Sequence, residues 1–241
     1  MTADQHHRYP CDHAVPIDQE PRHHLVIENE LVRAFAVEIA PHDRTLCHHH
    51  AHDYLLYVVG DGDIISTARD EEPKKLSYRD GECELSDAGL THVVENVGEE
   101  PFRNIVVELL AKGNELRRGV DPQKVLGDAD IKRMLDDPRG AIFSIEIEPG
   151  SEVTIPGPAV VASPYGTALP PDALGDVRVT HNPTCDLAWI APEQDATLFG
   201  CWEEATLVIT FQVGSTDEEG SLVAEVREPL KSLHAHADKD Q

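Results

Sequence analysis

The stretch that most constrains this chain is Cys47-His48-His49-His50-Ala51-His52-Asp53-Tyr54, which runs directly into Leu55-Leu56-Tyr57-Val58-Val59. The apolar, partly β-branched half reads as a buried strand. Side chains alternate along a strand, so His48, His50, His52 and Tyr54 share one face, while His49, Asp53 and Leu55 take the other. Two imidazoles at i and i+2 on the inner wall of a barrel can grip one metal ion. A third ligand must then come from elsewhere, and His92 is the candidate.

The rest of the chain supports an all-β reading. His24–Ile27 and Val32–Ile39 form two strands around a turn at Glu28-Asn29-Glu30. Pro41-His42-Asp43 turns the chain into the histidines, and Gly60-Asp61-Gly62-Asp63 marks a hairpin. Strands follow at Ile64–Thr67, before and after His92, and over Phe102–Leu109. Short strands separated by Gly, Pro and Asp indicate a sandwich or barrel. Residues 113–140 read as a linker, with a short helix over Asp130–Leu135 capped near Asp128.

A second copy is visible. Phe143–Gly150 mirrors Phe35–His42. Continuing that register sets Pro156 at His48 and Pro158 at His50, and places Thr197 roughly at His92. Leu207–Gln212 matches the closing strand. The pattern implies two barrels, 23–112 and 141–213, with metal ligands only in the first. Residues 1–22 read as an N-terminal arm lying over the surface or onto a partner, and 214–241 as an acidic tail. His6, His7, His13, His234 and His236 read as solvated or peripheral. Trp189 and Trp202 are expected to fill the second barrel or an interface.

Charge excludes some classes. Acidic residues number 45 against 20 basic, a formal net charge of −25. Nucleic acid and anionic membranes both require a basic footprint, so neither is an expected partner. No apolar run is long enough to span a bilayer, and no signal peptide is visible. The five cysteines, at 11, 47, 83, 185 and 201, form no close pair. The expectation is reduced thiols in a cytoplasmic protein.

With these residues in view, the chain resembles the cupin superfamily. Its first motif, G-x5-H-x-H-x3–4-E-x6-G, is met by His42, His48, His50 and Gly60 or Gly62. Its second, G-x5-P-x-G-x2-H-x3-N, is met by Gly81, Gly89, His92 and Asn96. His42 replaces the leading glycine of the first motif, and Asp87 replaces the proline of the second. Tyr54 stands where the family's metal-binding glutamate usually stands. The resemblance covers about 24–110 well and about 141–213 weakly, and implies a bicupin. A homodimer is expected only by analogy.

The chemistry follows from the ligand set. Three neutral imidazoles leave a divalent charge uncompensated and several coordination positions open. Such an ion favours a small substrate that chelates as an anion. The resemblance implies the family's three-histidine dioxygenases, with Fe(II) as the favoured metal. Zn, Ni or Mn would suit a lyase or isomerase instead. A non-catalytic metal- or small-molecule-binding bicupin stays open. In each case His48, His50 and His92 are the expected ligands. Tyr54 is a positioning group, His52 a supporting residue or extra ligand, and Asn96 a turn support.

Overall fold

The computed structural model describes residues 11, 13–110, 129–164, 179–180, 185–192, 194–199 and 206–213. The first barrel is two five-stranded sheets. One has the order β1 (Val15–Pro16), β4 (His48–His49), β9 (Thr91–Asn96), β6 (Gly62–Ala68), β7 (Lys74–Tyr78). The other has the order β2 (His23–Glu28), β3 (Val32–Ile39), β10 (Phe102–Leu109), β5 (Tyr54–Val59), β8 (Cys83–Ser86). The second barrel has a six-stranded sheet: β11 (Ala129–Asp137), β12 (Gly140–Ile147), β18 (Thr206–Val213), β14 (Ala159–Ser163), β16 (Asp186–Ile190) and β15 (Val179–Thr180). Its other sheet pairs β13 (Glu152–Pro156) with β17 (Asp195–Phe199).

Alternation along the strands builds three cores at once. Phe35, Val37 and Ile39 point into the first barrel with Tyr54, Val58 and Val106. Phe143, Ile145 and Ile147 point into the second with Val161 and Ile190. The intervening residues, including Ala34, Ala36, Leu55, Ile105 and Val107, face outward. They pack against Ile142, Val160, Leu187, Ile209 and Phe211 of the second barrel. The two large sheets therefore share one apolar slab, with Trp189 at its margin.

The repeat read from the sequence has the same geometry in both halves. β3 lies between β2 and β10, and β12 lies between β11 and β18. Phe35 and Phe143 both face inward. One detail of the alignment shifts. His48 pairs with His92 across β4–β9, whereas Pro156 pairs with Asp195 across β13–β17. Asp195 therefore takes the place of His92, and Thr197 lies opposite Thr154.

The helix expected over Asp130–Leu135 is instead part of strand β11. Apolar residues at 131, 134 and 135 have helical spacing, which misleads. A bulge between Arg133 and Leu135 produces that spacing in a strand. Ile131 packs on the interior of the second barrel, while Met134 and Leu135 pack on the slab. Asp128 and most of the linker lie outside the described residues, as do Trp202, Cys201, His6, His7, His234, His236 and the acidic tail.

The N-terminal arm is part of the first barrel from Cys11 onward. Val15–Pro16 pairs in parallel with His48–His49, and Ile17 is fully buried. Cys11 is disulfide-bonded to Cys47, which corrects the expectation of reduced thiols throughout. The spacing of 36 residues hid the pairing, because only the folded arm brings the two together. Disulfides are scarce in reducing compartments, so the thiol argument for a cytoplasmic protein falls. Among the described residues no helix is long and apolar enough to cross a membrane.

Turn chemistry accounts for the motif positions. Gly81 and Gly89 have φ of 78° and 102°, the left-handed region that glycine enters without strain. Asn96 donates to the carbonyls of Ile39 and Glu100 and accepts from Gly98 N–H, closing the turn after β9. Asp87 and Asp53 both accept from Arg139, which reaches over from the β11–β12 hairpin. His42 adopts φ 59°, where the side chain is disfavoured. His42→Gly is expected to stabilise the protein by about 0.5–1 kcal/mol, the strain relieved exceeding the backbone entropy lost. Urea denaturation measures it, and an unchanged or lower midpoint would show that the turn carries no strain.

Candidate metal centre

Four imidazole rings meet at one end of the first barrel. β4 contributes His48, and His50 follows it as the chain leaves the strand. His50 is held there by its N–H to Leu90 O and by its carbonyl from Gly89 N–H. β9 contributes His92, directly opposite His48. The fourth ring is His23, at the start of β2. Ring centroids are 4.6 Å apart for His23–His48 and for His48–His92, 5.1 Å for His48–His50 and 5.3 Å for His50–His92. All four residues are buried. One nitrogen from each of His23, His48 and His50 lies within 4.8 Å of the others.

The outer nitrogens are already committed. His23 Nδ1 is 2.8 Å from Glu20 Oε2, His48 Nδ1 is 3.0 Å from Leu46 O, and His92 Nδ1 is 3.1 Å from Ser66 Oγ. A carboxylate and a carbonyl only accept, so they fix the proton of His23 and His48 on Nδ1. The Nε2 lone pairs are then left for the centre. His48 Nε2 and His92 Nε2 approach to 3.1 Å. Ser66 leaves the His92 tautomer open, so this contact is met either by a proton on His92 Nε2 or by a cation between the two rings. His50 Nδ1 is buried with no hydrogen-bond partner. These features fit a divalent ion.

Electrostatics disfavour a charged imidazolium at His48, His50 or His92. Burial, then the neighbouring His23, pushes His48 down to about 4. Burial drives His50 and His92 far below the ordinary imidazole range, helped by the adjacent rings. His48, His50 and His92 are therefore neutral at physiological pH, the state a metal ligand requires. Burial raises Glu20, but bonds from His23 and from the backbone N–H groups of Leu46 and Arg22 outweigh it, and its carboxyl lies at about 2. Glu20 thus stays charged behind His23. Glu20→Gln is expected to weaken metal affinity about 10- to 100-fold, the usual effect of losing such an orienting carboxylate. Competition with a chromogenic chelator reads it, and unchanged affinity would separate Glu20 from the site.

The expected residues fall into place unequally. The rings of His48, His50 and His92 lie 4.6–5.3 Å apart, but the three nitrogens found within 4.8 Å of one another come from His23, His48 and His50, without His92. His52 is half-buried and outside the cluster, because β4 ends at His49 and regular alternation stops there. His49 turns away to Thr91 Oγ1, 2.8 Å from its Nδ1. Tyr54 lies flat on His50, with ring centroids 4.2 Å apart and planes at 23°. Burial raises its phenol well above the ordinary range, so it remains protonated. His23 was missed because it lies outside both motifs. A signal was present in Glu20-x-x-His23, a carboxylate three residues before a histidine that opens a strand.

No protein-family model matches the chain, and a search of curated proteins finds no match. Solved structures do resemble it. AerE from Microcystis aeruginosa is 12% identical with a TM-score of 0.53, over 78% of this chain and 90% of that one. A salicylate 1,2-dioxygenase from Pseudaminobacter salicylatoxidans is 12% identical with a TM-score of 0.50, over 81% and 77%. A cupin 2 conserved barrel domain protein from Leptotrichia buccalis is 13% identical with a TM-score of 0.45, over 78% and 86%. At such identities a likeness bears on fold alone. Tandem barrels, motif strands carrying buried histidines and the two likenesses with TM-scores of 0.53 and 0.50 agree on the fold: two cupin-type β-barrels in one chain.

Proposed function

We propose that the first barrel is a metal-dependent active site of the dioxygenase type, acting on a small chelating substrate. The observation that carries this reading is the cluster of four buried imidazoles, with no carboxylate among the rings and with nitrogens of His23, His48 and His50 within 4.8 Å of one another. His48, His50 and His92 would hold the ion, and His23 would add a fourth imidazole in place of the glutamate that Tyr54 displaces. A bound iron(II) would supply Lewis acidity and one-electron chemistry toward dioxygen.

The protein's own part is to bind, orient and shield. Glu20, Leu46 and Ser66 hold the outer nitrogens and so keep the inner lone pairs aimed inward. Imidazoles do not neutralise the ion, which favours a substrate that arrives as an anion. Tyr54 covers one face of His50 and blocks water from that side. Its phenol keeps its proton, so it offers a hydrogen bond rather than a competing ligand.

Among its described residues the second barrel carries no such centre. Phe143, Ile145, Ile147, Val161 and Ile190 fill its interior, Ser163, Asp186 and Thr210 are its buried polar residues, and Pro156 and Asp195 occupy the places of His48 and His92. It serves as structural support.

The test is metal analysis of protein purified without chelators, followed by oxygen uptake with β-diketones, catechols or thiols. About one iron per chain and substrate-dependent uptake are expected. Zinc, nickel or manganese without uptake would replace the dioxygenase reading with a lyase or isomerase. No metal at all would remove both.

A further inference from the structure

Three buried side-chain atoms among the described residues have no hydrogen-bond partner: His50 Nδ1, Asn104 Oδ1 and Glu108 Oε1. All three belong to the first barrel. His50 is part of the metal cluster. Glu108 lies on β10, on the inward-facing side with Val106. A carboxylate buried on this strand is costly unless paired or used.

Glu108 is only half satisfied. Its side chain is fully buried. Oε2 accepts from Arg33 Nε at 2.9 Å and Nη2 at 2.6 Å. Arg33 also faces Asp18 at 3.6 Å, which anchors the guanidinium on its other side. Oε1 accepts nothing. Across the ladder Glu108 lies opposite both Arg33 and Tyr54. Tyr54 in turn stacks on His50. The wall therefore runs from metal ligand to tyrosine to carboxylate without a break. From cross-strand spacing and the observed stacking, Glu108 lies on the order of 9 Å from the cluster.

We propose that Glu108 Oε1 is the far anchor of the substrate pocket, accepting a hydrogen bond from a hydroxyl group of a ligand whose other end chelates the metal. This deepens the metal-site reading and rests on it. A carboxylate locked to Arg33 can accept and cannot donate, so the pocket selects a donor at that end. It also repels a ligand that ends there in a carboxylate, since the positive charge of Arg33 is already matched.

The experiment uses three hydroxamates with the same chelating head. 4-Hydroxybutanohydroxamate ends in a hydroxyl, pentanohydroxamate in a methyl of similar size, and succinate monohydroxamate in a carboxylate. Affinities for the metal-loaded full chain are measured by calorimetry. The hydroxyl-ended probe is expected to bind about tenfold more tightly than the methyl-ended one, as a hydrogen bond to a charged group implies, and the carboxylate-ended one most weakly. Glu108→Gln is expected to relieve the rejection of the carboxylate. The double variant Arg33→Met, Glu108→Met exchanges the pair for apolar side chains, a replacement that commonly folds. It is expected to erase the hydroxyl preference with metal content unchanged. Equal affinity for hydroxyl and methyl ends in the unmodified protein, or a preference that survives the double variant, would overturn the assignment of Glu108 and leave the metal site intact. Failure of every probe to bind the metal-loaded protein would overturn the assignment of Glu108, and failure of the protein to take up metal would remove both.

Discussion

His48→Ala is expected to abolish stoichiometric metal binding, with affinity falling by more than about a hundredfold, beyond the loss of an orienting group alone. His48 is the hub of the cluster, its ring lying 4.6 Å from His23 and from His92 and 5.1 Å from His50. Without it the remaining nitrogens lose their shared neighbour. His92→Ala is expected to be milder, because His23, His48 and His50 still converge. His49→Ala, whose ring turns to Thr91, should keep full metal content. Elemental analysis of the three variants distinguishes these outcomes. Full occupancy in His48→Ala would show that the convergence is not a metal site.

The metal-free protein should also become acid-sensitive. An imidazole in the unfolded chain titrates near about 6.5. Burial holds His48 at about 4. Between these values the unfolded chain binds a proton that the folded chain refuses. The stability from keeping His48 neutral is therefore complete above about 6.5 and is lost as pH falls toward 4. Burial lowers His50 and His92 as well, and they steepen the same loss. A bound divalent ion should push the loss to lower pH, which thermal melts with and without metal would reveal.

The largest effect on stability is expected from Phe211→Ala, at about 3–5 kcal/mol. Phe211 is fully buried on β18, within the slab between the two barrels. A cavity there removes support from Leu55 and Ile105 as well as from Ile142 and Leu187. Both barrels should therefore melt earlier and together, by roughly 10 °C. Calorimetry checks it. Two separated transitions, with the first barrel unmoved, would show that the slab does not couple them.

The parts of this site that lie close together in sequence were legible, and those brought in from afar were not. The spacing of His48 and His50, the second motif through His92 and the inward parity of Phe35 and Phe143 follow from local periodicity. His23 reaches the site because β2 pairs with β3, setting it opposite Val37, and Glu20 because the arm crosses from β1 to β2. The Cys11–Cys47 pair depends on the arm lying along β4. Glu108 was hidden by its apolar neighbours, since strand pattern gives the face but not the partner Arg33. At Ile131–Leu135 a bulge imitated helical spacing, and at Asp195 the ladder overruled the alignment. In each case tertiary pairing decided what a window of sequence could not.

The bond between Cys11 and Cys47 closes a covalent ring of chain that contains Glu20 and His23 and ends beside His48. While that ring stays closed, even a denatured chain keeps these groups at high effective concentration. An ion released by unfolding would therefore meet part of its ligand set still tethered, and recapture could precede the reassembly of either barrel.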